Sequence, residues 1–178
     1  MKVTRCQLDG VMLIEPATYT DERGFFLESY QLERYRSVGI TEEFVQDNHS
    51  RSAKNALRGM HFTKRNPQAQ ILTVMRGRVF DVVVDVRKDS PGFGKWFGTE
   101  LSDEGPRQLY MPHGFAHGFC VLSDFADLHY KVSAKYDPKD EGGLRWNDPD
   151  VGIVWPVNNP AVSDRDQKHP LLRDAFVI

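Results

Sequence analysis

The chain has 178 residues, of which 40% are hydrophobic, and this is enough for one domain with a substantial core, which we expect to span residues 1–178. The formal net charge of −2 argues against a protein that binds nucleic acid or a membrane surface through a basic face. Cys6 and Cys120 fit neither a disulfide framework nor a metal spacing, which favours a reducing compartment. No stretch is apolar for long enough to be a signal peptide or a membrane span. We therefore expect a cytoplasmic protein.

Short apolar runs between turn signals predict strands along most of the chain. The first part of the chain predicts strands around residues 11–14, at 25–30 and at 43–52. The charged stretch 31–38, which ends at Gly39, is the best candidate for a helix. Residues 57–87 then predict three more strands, at 57–62, 71–75 and 79–86, and the last two are separated by a turn at Gly77.

Alternation along residues 57–62 makes His61 the first candidate for a functional residue. Successive side chains of a strand point to opposite faces, so His61 shares a face with Leu57 while Arg58 lies on the other face. We expect the face of Leu57 to point inward, where a solvated histidine has no reason to lie. A core histidine bonded to a backbone carbonyl is the alternative that this pattern leaves open.

The rest of the chain divides into a regular and an irregular part. Between residues 57 and 130 the predicted strands recur at intervals of roughly 8–12 residues with Gly and Pro at the turns, which favours a β-sandwich or barrel. After Tyr136 the chain becomes irregular and rich in Pro, Asp and Trp. We expect this tail to pack as a cover over one end of the barrel.

The segment 112–117 reads Pro-x-Gly-x-x-His and resembles the second signature motif of cupins, which are double-stranded β-helix (jelly-roll) proteins. A metal-binding cupin also needs a His-x-His pair and a Glu at its upstream motif, but here His61 is followed by Phe62 and Thr63. His61 and His117 supply two imidazoles, whereas catalytic metal sites generally take three protein ligands. We therefore expect no metal.

A wider set of motifs occurs in one order between about residues 5 and 170. The segments are 23–28 (RGFFLE), 46–50 (QDNHS), 57–62 (LRGMHF), 76–82 (RGRVFDV), 89–96 (DSPGFGKW), 112–119 (PHGFAHGF), 145–149 (RWNDP) and 163–166 (SDRD). Together they resemble the dTDP-4-dehydrorhamnose 3,5-epimerase family of nucleotide-sugar enzymes. The resemblance implies an all-β, cupin-type double-stranded β-helix (jelly-roll barrel) with a few short helices and an irregular C-terminal cover.

The resemblance also implies a chemistry, namely epimerisation of a nucleotide-linked 4-keto-6-deoxy sugar without a cofactor. The ketone at C4 acidifies the hydrogens on C3 and C5, so a base can remove one to give an enolate, and an acid can return a proton to the opposite face. His61 matches the family's base, a group that titrates near neutral pH. Asp166 matches the partner that orients this histidine, and Tyr130 matches the acid. From the pattern alone, Tyr130 could instead be a barrel tyrosine and Asp166 a solvated turn residue.

Further positions match the family's substrate contacts. They are Arg23, Phe26, Glu28, Gln46, Asn48, Arg58, Gln70, His117, Tyr136, Glu141 and Arg165. The three arginines suit a diphosphate because a guanidinium binds phosphate oxygens with two parallel hydrogen bonds. The family is homodimeric, and its N-terminal strands carry the positions of Arg23 and Glu28 into the neighbouring site. The remaining histidines, His113, His129 and His169, are expected to be structural or to lie on the surface.

One position departs from the family's pattern. Where the family reads Gln-Ala-Lys, this chain reads Gln68-Ala69-Gln70. The lysine of that pattern steadies the enolate oxygen, and Gln70 can donate a hydrogen bond there but carries no charge. Loss of one donor at an oxyanion costs roughly 10²–10³ in rate, and glutamine keeps part of that contribution. We expect catalysis to survive, while the nucleotide, the sugar and the carbons epimerised stay open.

Three classes of function remain on the sequence alone. The first is an epimerase that acts on C3, C5 or both, and the second is a sugar ketoisomerase on the same barrel. The third is a binding module or a metal-dependent cupin, since a fold by itself does not determine function. Bound metal would favour the third class, and exchange of sugar C–H for deuterium would favour the first two.

Overall fold

The structure, a computed structural model, describes residues 1–175. The strands are β1 (Lys2–Arg5), β2 (Met12–Glu15), β3 (Thr18–Asp21), β4 (Gly24–Leu27), β5 (Gln46–Ala53), β6 (Ala56–Thr63), β7 (Gln70–Arg76), β8 (Arg78–Asp85), β9 (Trp96–Ser102), β10 (Gln108–Met111), β11 (Phe115–Val121), β12 (Phe125–Val132), β13 (Glu141–Gly143) and β14 (Ala161–Val162). The helices are α1 (Leu32–Arg36), α2 (Asp164–Gln167) and a 3₁₀ turn at Leu172–Asp174.

The strands form two sheets and a separate hairpin. Sheet one has the order β1-β2-β10-β7-β12-β5, and sheet two has the order β13-β6-β11-β8-β9 with β14 parallel to β6. Inward-facing side chains alternate along both sheets and meet in the main core, to which β7 contributes Leu72 and Val74 and β8 contributes Val79 and Val83. The predicted cupin-type double-stranded β-helix is confirmed.

The outer faces of both sheets are also covered. Tyr35 of α1 and Ile40 pack against Ile14 and Ile71 on the outside of sheet one. The tail packs on the outside of sheet two, where Leu144 and its neighbours meet the outward-facing side chains of β6 and β8. The tail is therefore a cover, as predicted, but most of it lies over a sheet face instead of a barrel end, because these strands carry apolar side chains on both faces.

The first predicted strand–helix unit is shorter than the sequence indicates. The strand predicted at 25–30 ends at Leu27, because the carbonyl of Ser29 accepts hydrogen bonds from the buried Tyr35 hydroxyl (2.9 Å) and from Gln108 Nε2 (2.8 Å). Gln31 then caps α1 by accepting a bond from the Arg34 backbone N–H (2.6 Å). The chain therefore leaves the β3–β4 hairpin after Leu27, and α1 begins after the Gln31 cap.

The β3–β4 hairpin pairs with neither sheet within residues 1–175. Tyr19, Phe25 and Phe26 on it are each about two-thirds exposed. Among the described helices, none is long and apolar enough to cross a membrane. The hairpin therefore presents three large aromatic side chains to solvent.

Candidate active site

A cavity of about 400 Å³ lies between the sheets. Sheet one contributes β5, β7 and β12 to its lining, sheet two contributes β6 and β11, and the tail closes one side of its mouth. Ten residues proposed from the sequence line it: Gln46, Asn48, Arg58, His61, Gln70, His117, Tyr130, Tyr136, Glu141 and Arg165. These ten residues, which are far apart in the sequence, therefore lie around one cavity.

An irregularity in β6 brings Arg58 and His61 to the same cavity. His61 pairs with His117 of β11 and Arg58 pairs with Phe119, so β6 has one more residue than β11 between these pairs. Such a bulge reverses the alternation beyond it. The prediction that Arg58 and His61 face opposite sides of the strand is therefore wrong.

Glycine is required at the bulge. Gly59 has φ of +125°, and a Cβ there would lie 2.6 Å from the Cα of Gly118. Its backbone N–H leaves the sheet and donates to Asp166 Oδ2 (3.1 Å). The bulge consequently aims both the base candidate and a backbone donor at the same carboxylate.

His61 and Asp166 form a buried pair. His61 Nε2 lies 2.9 Å from Asp166 Oδ1, and Ser163 holds the carboxylate in place by capping α2 through the Asp166 backbone N–H (3.1 Å). Burial by itself would raise the pKa of Asp166, but the hydrogen bond and the charge of His61 and the bonds from Gly59 and Arg165 hold that pKa well below its usual range. The carboxylate is therefore ionised at neutral pH.

The pair determines which ring nitrogen is free. Because Nε2 donates to the Asp166 carboxylate, the lone pair of the neutral ring is on Nδ1. Nδ1 lies 3.8 Å from Glu141 Oε1, on the side of the cavity. His61 thus has an oriented ring with a basic nitrogen toward the cavity.

Arg165 bridges two carboxylates at the mouth. Its Nε donates to Asp166 Oδ1 (3.2 Å) and its Nη1 donates to Glu141 Oε2 (2.8 Å), which also accepts the Tyr136 hydroxyl (3.1 Å). The Arg165 side chain is 56% exposed, whereas Asp166 is 3% exposed. Arg165 therefore reaches solvent, whereas the Asp166 carboxylate that it binds does not.

Tyr130 lies on β12, across the cavity from His61 on β6. Burial raises the pKa of Tyr130, Glu141 adds to this, and Arg58 opposes it. The phenol therefore keeps its proton at neutral pH and can act as a donor. Next to it, Gln46 Nε2 donates to Asn48 Oδ1 (2.7 Å) and Gln46 Oε1 accepts the Tyr136 backbone N–H (3.1 Å).

The wall around Gln70 is formed by neutral amides. Gln70 Nε2 donates to Gln68 Oε1 (3.2 Å), and Gln68 Nε2 donates to the Ala134 carbonyl (2.9 Å). This relay fixes the orientation of the Gln70 amide, since each donor has one partner that cannot reverse its role. Gln70 therefore lines the cavity as the sequence predicted.

His117 is held from inside the core. Its Nε2 lies 3.0 Å from Oδ2 of the fully buried Asp81. Burial raises the pKa of Asp81, and the charge and hydrogen bond of His117 oppose that rise. Arg58 is fixed in a similar way, because its Nε donates to Ser52 Oγ (2.8 Å).

Three proposed site residues lie away from the cavity. Arg23 pairs with Asp21 on the exposed hairpin, and Glu28 pairs with Arg34 at the start of α1 (2.7 Å). Phe26 projects from the same hairpin and is 69% exposed. Within one chain, the structure does not bring these three to the other site residues.

His169, which the sequence placed with the structural or surface histidines, lies beside the His61–Asp166 pair. Its ring is largely buried and lies edge-on to that of His61, with 5.6 Å between the centroids. Its position three residues after Asp166, at a helix end, is the signal that pointed there. The His169 ring therefore packs against the His61–Asp166 pair.

His61, Asp166 and His169 offer three ligand atoms within 4.8 Å of one another, a set of two imidazoles and a carboxylate. Arg165, however, places its guanidinium on the same atoms, with Nε on Asp166 and Nη2 3.1 Å from His61 Nε2. A metal ion held by these three atoms would have to displace the Arg165 guanidinium. Arg165 is therefore one of the groups that balance the charge of Asp166, together with His61.

Comparison with known proteins identifies the family. Residues 5–174 match the profile of the dTDP-4-dehydrorhamnose 3,5-epimerase family. The enzyme of that name from Salmonella typhimurium is 46% identical over 99% of this chain and 98% of its own, and the dTDP-4-dehydrorhamnose 3-epimerase of Streptomyces niveus is 42% identical over 98% and 86%. The structure of the Legionella pneumophila dTDP-6-deoxy-D-glucose-3,5-epimerase in complex with dTDP-4-keto-L-rhamnose superposes with a TM-score of 0.95, at 46% identity over 97% of this chain and 93% of that one.

The fold and the site define an isomerase that works by proton transfer inside a cupin-type barrel. The chain belongs to the dTDP-4-dehydrorhamnose 3,5-epimerase family.

Proposed function

We propose that this protein epimerises a dTDP-linked 4-keto-6-deoxy sugar, the class of substrate named for its relatives, by removing and returning a proton next to the ketone. The observation that carries the proposal is the placement of a carboxylate-oriented histidine on sheet two and a protonated phenol on sheet one of the same cavity. Inversion at carbon requires a base and an acid on opposite faces of the sugar ring. His61 and Tyr130 supply these groups.

The reaction follows from the bonding of the two residues. His61 Nδ1 takes the proton from the carbon next to C4, and the C–H electron pair moves into an enolate while Asp166 stabilises the imidazolium. Tyr130 returns its proton to the other face of the same carbon and becomes a phenolate. Exchange with solvent then restores both residues, so the cycle is balanced and requires no cofactor.

The substrate is held by charge at the mouth and by polar groups within the cavity. Arg58 and Arg165 provide the guanidinium groups for the diphosphate. Gln46 and Asn48 offer amide groups on the neighbouring strand, and His117 reaches the sugar from the floor. The pairing of Arg165 with Glu141 and Asp166 keeps that cation in place until a diphosphate competes for it.

The test is proton exchange measured by NMR in D₂O with dTDP-4-keto-6-deoxyglucose. We expect deuterium to enter C3 and C5 and the configuration to invert at the exchanged carbon. Movement of the ketone from C4 to C3 would indicate a ketoisomerase. Absence of exchange at both carbons would contradict the proposal.

Epimerisation at C3 alone is the second candidate, and Gln70 is the observation that favours it. A neutral amide at that position gives less stabilisation to an enolate than a cation does. The 3-epimerase from Streptomyces niveus shows that the family includes such single-carbon enzymes. Separate rates at C3 and C5 in the experiment above distinguish the two candidates.

Gln70→Lys is expected to lower exchange about tenfold, because a strongly hydrated ammonium would replace an amide that the relay through Gln68 already orients. The rates at C3 and C5 are measured separately. Met75→Lys is the matched control, since it adds the same charge on β7 at an exposed position outside the cavity lining. A rise at either carbon would show that position 70 faces the enolate oxygen and that a cation there helps.

We also propose a homodimer in which the β3–β4 hairpin serves the partner's site. The hairpin carries Arg23 and Phe26 away from its own cavity. Strand β5 lines the cavity and is the edge of sheet one, with β12 as its single strand neighbour among residues 1–175. The open edge of β5 in one protomer can therefore accept the exposed β3–β4 hairpin of its partner.

Mixing two inactive variants tests the dimer. Arg23→Ala damages the hairpin and His61→Ala damages the barrel, so we expect each to be inactive alone and activity to return after subunit exchange. If the hairpin serves its own barrel, mixing restores nothing. Sedimentation should give twice 20.4 kDa, and a fully active species of 20.4 kDa would contradict the proposal.

A further inference from the structure

The ring of His169 is packed closely into the site beside Gly143. A Cβ on Gly143 would lie 2.4–2.6 Å from three of its ring atoms, so the ring fills the space that glycine leaves beside His61. Its Nε2 is buried and has no hydrogen-bond partner within residues 1–175. A buried nitrogen without a partner costs free energy and needs an explanation.

Close to His169 Nε2 lies an Asp166 carboxylate oxygen that already accepts two hydrogen bonds. Asp166 Oδ1 accepts from His61 Nε2 (2.9 Å) and from Arg165 Nε (3.2 Å), while His169 Nε2 lies 3.7 Å away. A carboxylate oxygen has about two lone pairs, both in the plane of the carboxylate group, that can accept hydrogen bonds. His169 Nε2 could therefore donate to Asp166 Oδ1 if Arg165 Nε no longer did.

Arg165 leaves that position if it binds the diphosphate. Oδ1 would then keep one donor, although the carboxylate remains buried and charged. A shift of less than about 1 Å brings His169 Nε2 from 3.7 Å to a normal hydrogen-bond distance.

We propose that His169 is a positioning residue that donates Nε2–H to Asp166 Oδ1 while Arg165 is engaged with the substrate. The second donor holds the carboxylate in the orientation that His61 requires. This rests on the proposed function, because that function gives Arg165 its other partner.

The charge state of His169 suits this role. Burial lowers the pKa of His169, and so do the charges of His61 and Arg165, while Asp166 and Glu141 oppose them. The ring is therefore neutral at neutral pH. Beside a carboxylate, the tautomer with the proton on Nε2 is the favourable one, because a lone pair there would face another lone pair.

Two variants with opposite defects separate positioning from packing. His169→Phe keeps a ring over Gly143 but removes the donor, whereas His169→Gln loses the ring but places an amide N–H near the former Nε2. We expect kcat for deuterium exchange to fall about ten- to hundredfold in His169→Phe, with KM little changed, because a hydrogen bond to a charged group is lost. We expect His169→Gln to keep most of kcat. If Gln falls further than Phe, or if Phe keeps wild-type kcat, the role is packing alone and the proposal is wrong.

A second measurement needs neither substrate nor activity. Arg165→Ala vacates Oδ1 permanently, so in ¹⁵N-histidine-labelled protein the Nε2 proton of His169 should move downfield relative to the wild type. An unchanged signal, or a proton on Nδ1 alone, overturns the proposal. If the signal of His169 moves downfield in Arg165→Ala but the wild-type protein exchanges no substrate hydrogen, the result would support His169 as a donor and refute the proposed function instead.

Discussion

His61→Ala is expected to lower deuterium exchange at the reacting carbon about 10²–10⁴-fold, the usual contribution of a general base. The loss should appear in kcat, since in the proposed reaction His61 takes the reacting hydrogen and the diphosphate is held by other residues. Asp166 keeps its bonds from Gly59 and Arg165 in this variant, so the buried charge is not left alone. We therefore expect the fold to be retained, as measured by circular dichroism and by thermal unfolding.

His129→Ala is the matched control for His61→Ala. His129 is also a strand histidine near a carboxylate, with Nε2 3.8 Å from Asp47 Oδ2, but it does not line the cavity. Its removal should leave exchange unchanged. Near-normal exchange in His61→Ala would remove this histidine from the mechanism and leave the base unassigned.

Tyr130→Phe is expected to separate the two halves of the reaction. Deprotonation by His61 does not need the phenol, whereas proton return to the opposite face does. Loss of substrate hydrogen to solvent should therefore persist while inverted product falls by about 10²-fold or more. The ring is kept, so the packing of β12 against the core is unchanged.

The informative measurement for Tyr130→Phe is the ratio of exchange to inversion in one NMR time course. Tyr136→Phe is the control, because that phenol also lines the cavity but bonds to Glu141 at the mouth. Tyr136→Phe should keep the wild-type ratio. An equal loss of exchange and inversion in Tyr130→Phe would mean that this phenol assists the first step or shapes the cavity.

The sequence predicts the barrel because its strands carry local signals. Turn residues and β-branched runs mark β7 and β8 within a residue or two of their observed ends. The site was found through motif order, since His61 and Asp166 are 105 residues apart and no local pattern joins them. The resemblance to the epimerase family linked these two residues, which the hydrophobic periodicity of the sequence cannot do.

What the sequence did not predict depends on irregular geometry. Strict alternation separates Arg58 from His61, and the bulge at Gly59 exists because β11 presents Gly118 opposite it. The burial of His169 follows from the path of the tail after α2, which is fixed by contacts such as that of Arg145 Nε with the His169 carbonyl (3.2 Å). Such long-range contacts cannot be predicted from the amino-acid composition or from the hydrophobic periodicity of the sequence.

Asp166, whose carboxylate bonds to His61, lies on α2, which follows the fourteen strands of residues 1–175 in chain order. Synthesis on the ribosome proceeds from the N-terminus, and domains begin to fold as they emerge. Both sheets are therefore made before the segment that carries Asp166. A barrel without that segment would contain His61 but not the carboxylate that we propose orients it, so we expect activity only after the segment with Asp166 has docked.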